Sequence, residues 1–206
     1  MRIQTFQVAP IGTNCFIVSD DMKNAFIVDP GGDPDLIIEN AKDLNVKYLL
    51  LTHTHYDHIG ALDALSEAFP QAQLAVHGLE KNALYDASLN LSVGFGLSYE
   101  YRGKVDIELK DGDELVFGEK KIRVIHTPGH TVGGVCYYIE DDLFSGDTLF
   151  KSSVGRTDLP GGDAVTLLHS IKKKLYTLPG KTTVYPGHME QTTIGWEKQR
   201  NPYVKL

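Results

Sequence analysis

The chain predicts an α/β fold in which two sheets are covered by helices, a four-layer αββα sandwich. Three observations lead there. Short apolar segments of strand length alternate with amphipathic segments of helix length, which by itself gives α/β or α+β. The order "strands, then a helix" occurs twice along the chain. Each half ends several of its strands in His or Asp, residue types that ligate metals.

Taken in order, Ile3 to Val8, Asn14 to Val18 and Asn24 to Val28 read as strands, the third closed by the turn Asp29-Pro30-Gly31-Gly32. Asp35 to Leu44 reads as a helix with Leu36, Ile37, Ala41 and Leu44 inward. Tyr48 to Leu51 is a buried strand, and Ile59 to Phe69 a helix ended by Pro70. Leu74 to His77 is a short strand, with a weakly helical piece from Leu79 to Tyr85. Residues 86–104 mix Leu, Phe and Tyr with Asn, Ser and Gly and show no clean period. They read as a lid or binding loop, or as an irregular connection with its own apolar cluster.

The second half opens with a hairpin, Glu114 to Phe117 and Lys121 to Ile125, with Gly118-Glu119 at its tip. Gly133 to Ile139 and Leu143 to Ser145 are strands. Ala164 to Leu178 is a helix with Val165, Leu168, Ile171, Leu175 and Leu178 inward. Thr182 to Tyr185 is the last strand, and a closing helix runs from Glu190 until Asn201-Pro202 breaks it.

The 206 residues are read as one domain spanning 1–206. A net charge of −7 speaks against non-specific nucleic-acid binding. No apolar run approaches the roughly 20 residues of a membrane span, and the first residues lack the pattern of a signal peptide. The expectation is a cytoplasmic protein without nucleic-acid or membrane partners. Cys15 and Cys136 lie in apolar runs and read as buried, reduced thiols.

The chemistry concentrates in Thr52-His53-Thr54-His55-Tyr56-Asp57-His58, where the buried strand stops and a helix begins. Open α/β sheets put ligand sites at such places. In extended chain, residues two apart face one side, so His53, His55 and Asp57 start out aligned, while His58 is out of phase and free to point elsewhere. His130, Asp147 and His188 each follow a strand and lie near a glycine. Five imidazoles and two carboxylates, shared by two ions with one carboxylate bridging, give three or four protein ligands each. That open count suits catalysis. Nitrogen and oxygen donors suit Zn²⁺, and also Fe or Mn²⁺.

The motif His53-x-His55-x-Asp57-His58, followed by His130, Asp147 and His188, resembles the metallo-β-lactamase superfamily. The segment His126 to Thr131 and the segment Gly155-Arg156-Thr157-Asp158 resemble its glyoxalase II-like hydrolases. The resemblance implies the metallo-β-lactamase fold, two mixed sheets flanked by helices. It implies two divalent ions per chain, one held by His53, His55 and His130, the other by Asp57, His58 and His188, with Asp147 bridging. It also implies a metal-bridging hydroxide that attacks a thioester such as S-D-lactoylglutathione, which makes Asp57 and Asp147 catalytic ligands. Two ions, two aspartates and a hydroxide sum to a local charge of about +1, favouring an anionic small molecule. Alternatives on the same core are a mononuclear-iron persulfide dioxygenase and an acyl-homoserine-lactone hydrolase. Full-length glyoxalase II carries a further helical domain after its last ligand, whereas here 18 residues follow His188, so the contacts of that domain do not carry over.

Around this set, Asp29 is placed either to orient a ligand imidazole or to form its turn. Arg156 and Asp158 pair with one another or meet an anionic substrate. Lys151 is a solvated lysine or an anion contact. His126 is assigned a supporting role, and His77 and His169 structural ones.

Overall fold

The computed structural model describes residues 1–205. The chain divides into two compact units, Met1–Leu109 and Lys110–Leu206.

In the first unit the order is β1 (Arg2–Val8), β2 (Thr13–Ser19), β3 (Asn24–Val28), α1 (Pro34–Ala41), β4 (Asn45–Leu50), α2 (Tyr56–Ile59), α3 (Leu62–Ala68), β5 (Gln73–His77) and β6 (Ile107–Leu109). They form one six-stranded sheet in that order. β1, β2 and β3 run antiparallel, and β3 to β6 run parallel. Ile37, Ala41, Ile59, Leu62 and Leu65 of the helices join Ile17, Ile27, Leu49 and Leu74 of the strands in one core. The parallel run matters for function. It brings the C-terminal ends of β3, β4 and β5 side by side, with Val28 opposite Leu50 and Leu50 opposite Ala75.

The expected helix over Ile59 to Phe69 is two helices, α2 and α3, divided at Gly60-Ala61. The carbonyl of Asp57 lies 1.6 Å from where a Cβ on Gly31 would stand. Only a glycine lets the turn after β3 come that close to α2. Leu36, expected inward, is 42% exposed, while its neighbour Ile37 is fully buried. Successive helical residues are about 100° apart, so a one-turn core stripe takes one of the two.

The second unit contains β7 (Glu114–Phe117), β8 (Lys120–His126), β9 (Val135–Ile139), β10 (Asp142–Gly146), the small hairpin β11 (Leu149–Phe150) and β12 (Ser153–Val154), α4 (Ala164–Lys173), β13 (Thr183–Pro186), β14 (Thr192–Thr193) and α5 (Ile194–Arg200). Its sheet has the order β14-β13-β10-β9-β8-β7. β7 to β10 form an antiparallel meander, β10 and β13 are parallel, and β14 returns antiparallel. Leu167, Ile171 and Leu175 pack on Ile125, Cys136, Leu143 and Val184. Asp163 caps α4 by accepting a hydrogen bond from the Thr166 amide at 2.7 Å. Val165, expected inward, is 78% exposed. Leu167 and Ile171, spaced i and i+4, define the packed stripe and turn Val165 to solvent. The helix also stops at Lys173, and Leu175 is buried from a 3-10 turn, Leu175–Thr177.

Both cysteines are buried and neither forms a disulfide. Burial, and then the nearby Asp29 carboxylate, push the Cys15 thiol well up, which makes it an inert apolar filler.

Candidate metal centre

In the first unit the cluster follows β4. The chain bends at Thr52, His55 is extended, and α2 begins at Tyr56. His53, His55, Asp57 and His58 are all buried. His53 Nε2 and His55 Nδ1 stand 3.1 Å apart, and His58 Nε2 and Asp57 Oδ2 3.3 Å. The expectation that Asp57 shares a side with His53 and His55 is not met. The alternation ends at His55, because Asp57 already lies in α2, and its carboxylate turns to His58. Nor does His58 point away: its ring centroid is 4.0 Å from that of His53.

The supports of these rings come from neighbouring strand ends. Asp29, fully buried directly after β3, accepts the Thr52 amide at 2.8 Å, the Thr52 hydroxyl at 2.7 Å and His58 Nδ1 at 3.0 Å. Of its two readings, the imidazole-orienting one is what the geometry displays. The Thr52 hydroxyl spends its proton on Asp29, so its oxygen accepts His53 Nδ1–H at 3.1 Å. His53 and His58 are thereby both fixed with the proton on Nδ1 and the lone pair on Nε2. Thr13, at the start of β2, donates its hydroxyl to Asp57 Oδ2 at 2.7 Å. Glu80, buried just beyond β5, accepts the Thr54 amide at 3.1 Å and the Thr54 hydroxyl at 2.6 Å. Thr13 and Glu80 were not anticipated. Each is an ordinary residue 44 or 26 positions from its partner, and no local pattern marks it.

The second unit gathers the other three residues. β8, β10 and β13 run in one direction, so their ends fall along one sheet edge, where His130, Asp147 and His188 follow them. The amide of Gly187 donates to the Gly146 carbonyl at 2.9 Å and ties the last two turns together. Asp147 Oδ2 lies 3.6 Å from His130 Nε2 and 3.5 Å from His188 Nε2. His130 Nδ1 donates to the backbone carbonyl of Arg156 at 2.7 Å, leaving its lone pair on Nε2. That carbonyl is held in place because Gly155 lies against Asp147, whose carbonyl oxygen is 1.7 Å from the position of an added Cβ.

The Arg156 side chain itself faces solvent in a two-pronged pair with Asp158, with both contacts at 2.7 Å. Hydrogen bonding from Arg156 lowers the Asp158 carboxyl to about 2. Lys151 pairs with Glu190 at 2.7 Å. His126 directs Nε2 to the Val132 carbonyl at 3.0 Å, His77 caps the turn after β5 by accepting the Leu79 amide, and His169 is exposed.

Residues 86–104 are organised by buried Asn90 and Ser92, which hold the loop's own backbone: Asn90 donates to the Tyr99 carbonyl and accepts the Ser92 amide. The loop is tied to α2 by the Tyr56 amide, which donates to the Asn90 carbonyl at 2.8 Å. The Tyr56 ring packs against Phe95 and Tyr99. Residues 86–104 are thus an irregular connection, held by hydrogen bonds of its own, that borders the histidine turn.

These donors suit a metal. A tetrahedral zinc ion with bonds of about 2.0–2.1 Å spaces its ligand atoms about 3.3–3.4 Å apart. The pairs above, at 3.1 to 3.6 Å, bracket that spacing. His53, His55, Asp57 and His58, and likewise His130, Asp147 and His188, fall in groups able to hold a metal ion.

A fold of two mixed sheets flanked by helices, carrying His and Asp at the ends of its strands, defines a metal-binding α/β protein. Residues 8–188 match the family described as the metallo-beta-lactamase superfamily, and the chain belongs to it. It has that family's fold, as the sequence leads one to expect. Among curated relatives, it is 43% identical over 210 residues to the probable metallo-hydrolase YqgX of Bacillus subtilis, covering 99% of this chain and 98% of that one. It is 36% identical over 214 residues to the hydroxyacylglutathione hydrolase GloC of Haemophilus influenzae, with 99% and 98% covered. Among solved structures, BLEG-1 B3 metallo-beta-lactamase superposes with a TM-score of 0.94 at 41% identity, covering 98% of this chain and 99% of that one. TTHA1623 in a di-iron-bound form gives 0.85 at 34% identity, covering 98% and 100%. No helix among the described residues is long and apolar enough to cross a membrane.

Proposed function

We propose that this protein is a binuclear metallohydrolase that cleaves a thioester, S-D-lactoylglutathione or a related acyl-thiol. The observation that carries the reading is the direction of the hydrogen bonds. In His53, His58 and His130, Nδ1 is committed to a protein acceptor and Nε2 is presented as a lone pair beside another ligand-type atom. His53, His55 and His130 would hold one ion, Asp57, His58 and His188 the other, and Asp147 both. Zinc fits the donors, as do iron and manganese, and the di-iron form of TTHA1623 supports keeping iron in view. When bound, such ions lower the pKa of water toward 7 and polarise a carbonyl oxygen. The chain's own part is to fix the imidazole tautomers through Asp29, Thr52 and the Arg156 carbonyl, and to keep the donors dry. A thiolate leaves without needing a protein acid, which suits a site whose carboxylates are engaged with imidazoles. The likeness to GloC supports the hydroxyacylglutathione class. The proposed substrate is a small anion, and the proposed setting is the cytoplasm without nucleic-acid or membrane partners.

The test is metal content by mass spectrometry on the purified protein, read beside turnover of lactoylglutathione, an acyl-homoserine lactone, a β-lactam and glutathione persulfide. Two metals per chain with thioester cleavage is the expected result. One iron with oxygen uptake on the persulfide would replace the reading with a dioxygenase. Preferential opening of the lactone, or of the β-lactam that BLEG-1 brings to mind, would replace the substrate class.

A further inference from the structure

Two threonines interleave the two histidines of the turn, and each is clamped in the same manner. The amide and the hydroxyl of Thr52 both donate to the carboxylate of Asp29, and the amide and the hydroxyl of Thr54 both donate to the carboxylate of Glu80. The carboxylates arrive from the two strands that flank β4: Asp29 directly after β3, Glu80 three residues beyond the end of β5. His53 therefore lies between two clamped residues, and the peptide joining it to Thr54 is held from the β5 side by Glu80.

We propose that Glu80 is a positioning residue for the metal centre, acting through Thr54 on His53 and His55; this rests on the reading above that those imidazoles hold an ion. Glu80 is 4% exposed. A carboxylate in such a place gives up its hydration, and the fold has placed two short donors from one residue against it. Both of those donors belong to Thr54, whose side chain ligates nothing. What the clamp fixes is the one residue between the two rings. Chain outside a sheet or helix, as here between β4 and α2, turns its peptide planes at small cost without such an anchor, and each turn swings the flanking Cα–Cβ bonds. A metal tolerates its ligand atoms only within about 0.2 Å. Asp29 holds His58 by direct contact. Glu80 holds its pair through the backbone, which leaves the His55 ring free to seat against His53 while its Cα stays put.

The experiment compares wild type with E80Q, T54V and T54S. Zinc affinity is measured by competition with a chromophoric chelator, the visible spectrum is recorded after loading with Co²⁺, and the melting temperature is taken on metal-free protein. Both Thr54 donors meet the same oxygen, Oε2, so glutamine either holds both on a weaker neutral carbonyl or, with its NH₂ there, loses both, and valine removes only the hydroxyl, which serine restores. The expected result is zinc affinity about 10- to 100-fold weaker in T54V, weaker in E80Q as well and near wild type in T54S, with altered Co²⁺ spectra in T54V and E80Q. If E80Q and T54V lower the melting temperature but bind zinc within twofold of wild type with unchanged Co²⁺ spectra, Glu80 is a structural brace and the proposal falls. If E80Q does not fold, T54V against T54S decides, and equal zinc affinity for the two overturns it. Wild-type protein that takes up no zinc or cobalt sinks the metal reading itself, a result distinct from unaffected variants.

Discussion

Asp29→Asn tests the wiring of the site with one atom changed. Alanine is the wrong choice. It would orphan three buried donors at about 1–3 kcal/mol each, roughly 3–9 kcal/mol against a typical total stability of about 5–15 kcal/mol. Asparagine keeps the shape. With its oxygen in the place of Oδ1 it still accepts the Thr52 amide, but its NH₂ then occupies the place of Oδ2. There Thr52 Oγ1 lies at 2.7 Å and His58 Nδ1 at 3.0 Å. An N–H facing His58 Nδ1 favours the tautomer with the proton on Nε2, and a protonated Nε2 ligates nothing. The opposite amide orientation keeps both bonds at Oδ2, and with them the His58 tautomer, but sets an N–H against the buried Thr52 N–H and so displaces the Thr52 hydroxyl that orients His53. Either way the variant should bind zinc about 10- to 100-fold more weakly, about 1.4–2.8 kcal/mol, while still folding. Chelator competition gives the affinity, and ¹⁵N chemical shifts of metal-free protein give the His58 tautomer. Wild-type zinc affinity together with His58 still protonated on Nδ1 would refute the reasoning.

Asp147→Ala should cost at least ~10-fold more activity than His58→Ala, because Asp147 Oδ2 lies beside two imidazoles; steady-state rates on lactoylglutathione check this, and the reverse ranking would argue that a single ion suffices. Chelation should lower the melting temperature. An ion bound at 100 times its dissociation constant adds about 2.7 kcal/mol, about 5–11 °C for a chain of this size, and an unchanged melting curve after metal removal would count against bound metal. The Asp158 carboxyl, held at about 2 by its hydrogen bonds from Arg156, should stay ionised well below the unfolded value near 3.9. A group depressed in the folded state contributes stability that is present above its unfolded pKa and lost as pH falls through its folded one, so the pair should persist at pH 4. A carboxyl ¹³C titration with its midpoint near 4 would contradict that.

The candidate ligands were legible because they are His and Asp residues in the turns that follow β4, β8, β10 and β13, and because four of them are neighbours in sequence. Most strands were legible from apolar runs of four or more residues, as in Asn24–Val28. The short ones were not. β6 has three residues, and β11, β12 and β14 have two each, too few for any period to register. Helix faces failed at Leu36 and Val165, where an apolar residue beside the packed stripe looks inward on a wheel and is turned outward by the one-sided core. The supports of the site, Thr13 and Glu80, were invisible because sheet pairing brings them to their partners. Arg156 misled for a related reason: its side chain drew notice, and its contact with His130 is made by the backbone carbonyl.

Hydrogen-bond direction sorts the histidines better than position does. His126 shares a segment with His130 and ends a strand, and only the resemblance separates their roles in sequence. His130 gives Nδ1–H to a carbonyl and keeps Nε2 as a lone pair. His126 places Nε2 against the Val132 carbonyl, which accepts and cannot donate, so that nitrogen must carry the proton and is lost to a metal. His77 accepts an amide on Nδ1, so a neutral ring has its proton on Nε2 and its lone pair already engaged. The same rule that assigns His53, His58 and His130 thus rejects His77, whereas His126 keeps a lone pair on Nδ1 and is set apart by standing in none of the groups able to hold a metal among the described residues. The rule works from partners with little freedom of their own: two carbonyl oxygens and a carboxylate that accept, a hydroxyl whose proton that carboxylate takes, and a backbone amide that donates. The site is specified as much by which nitrogens the fold consumes as by which it presents.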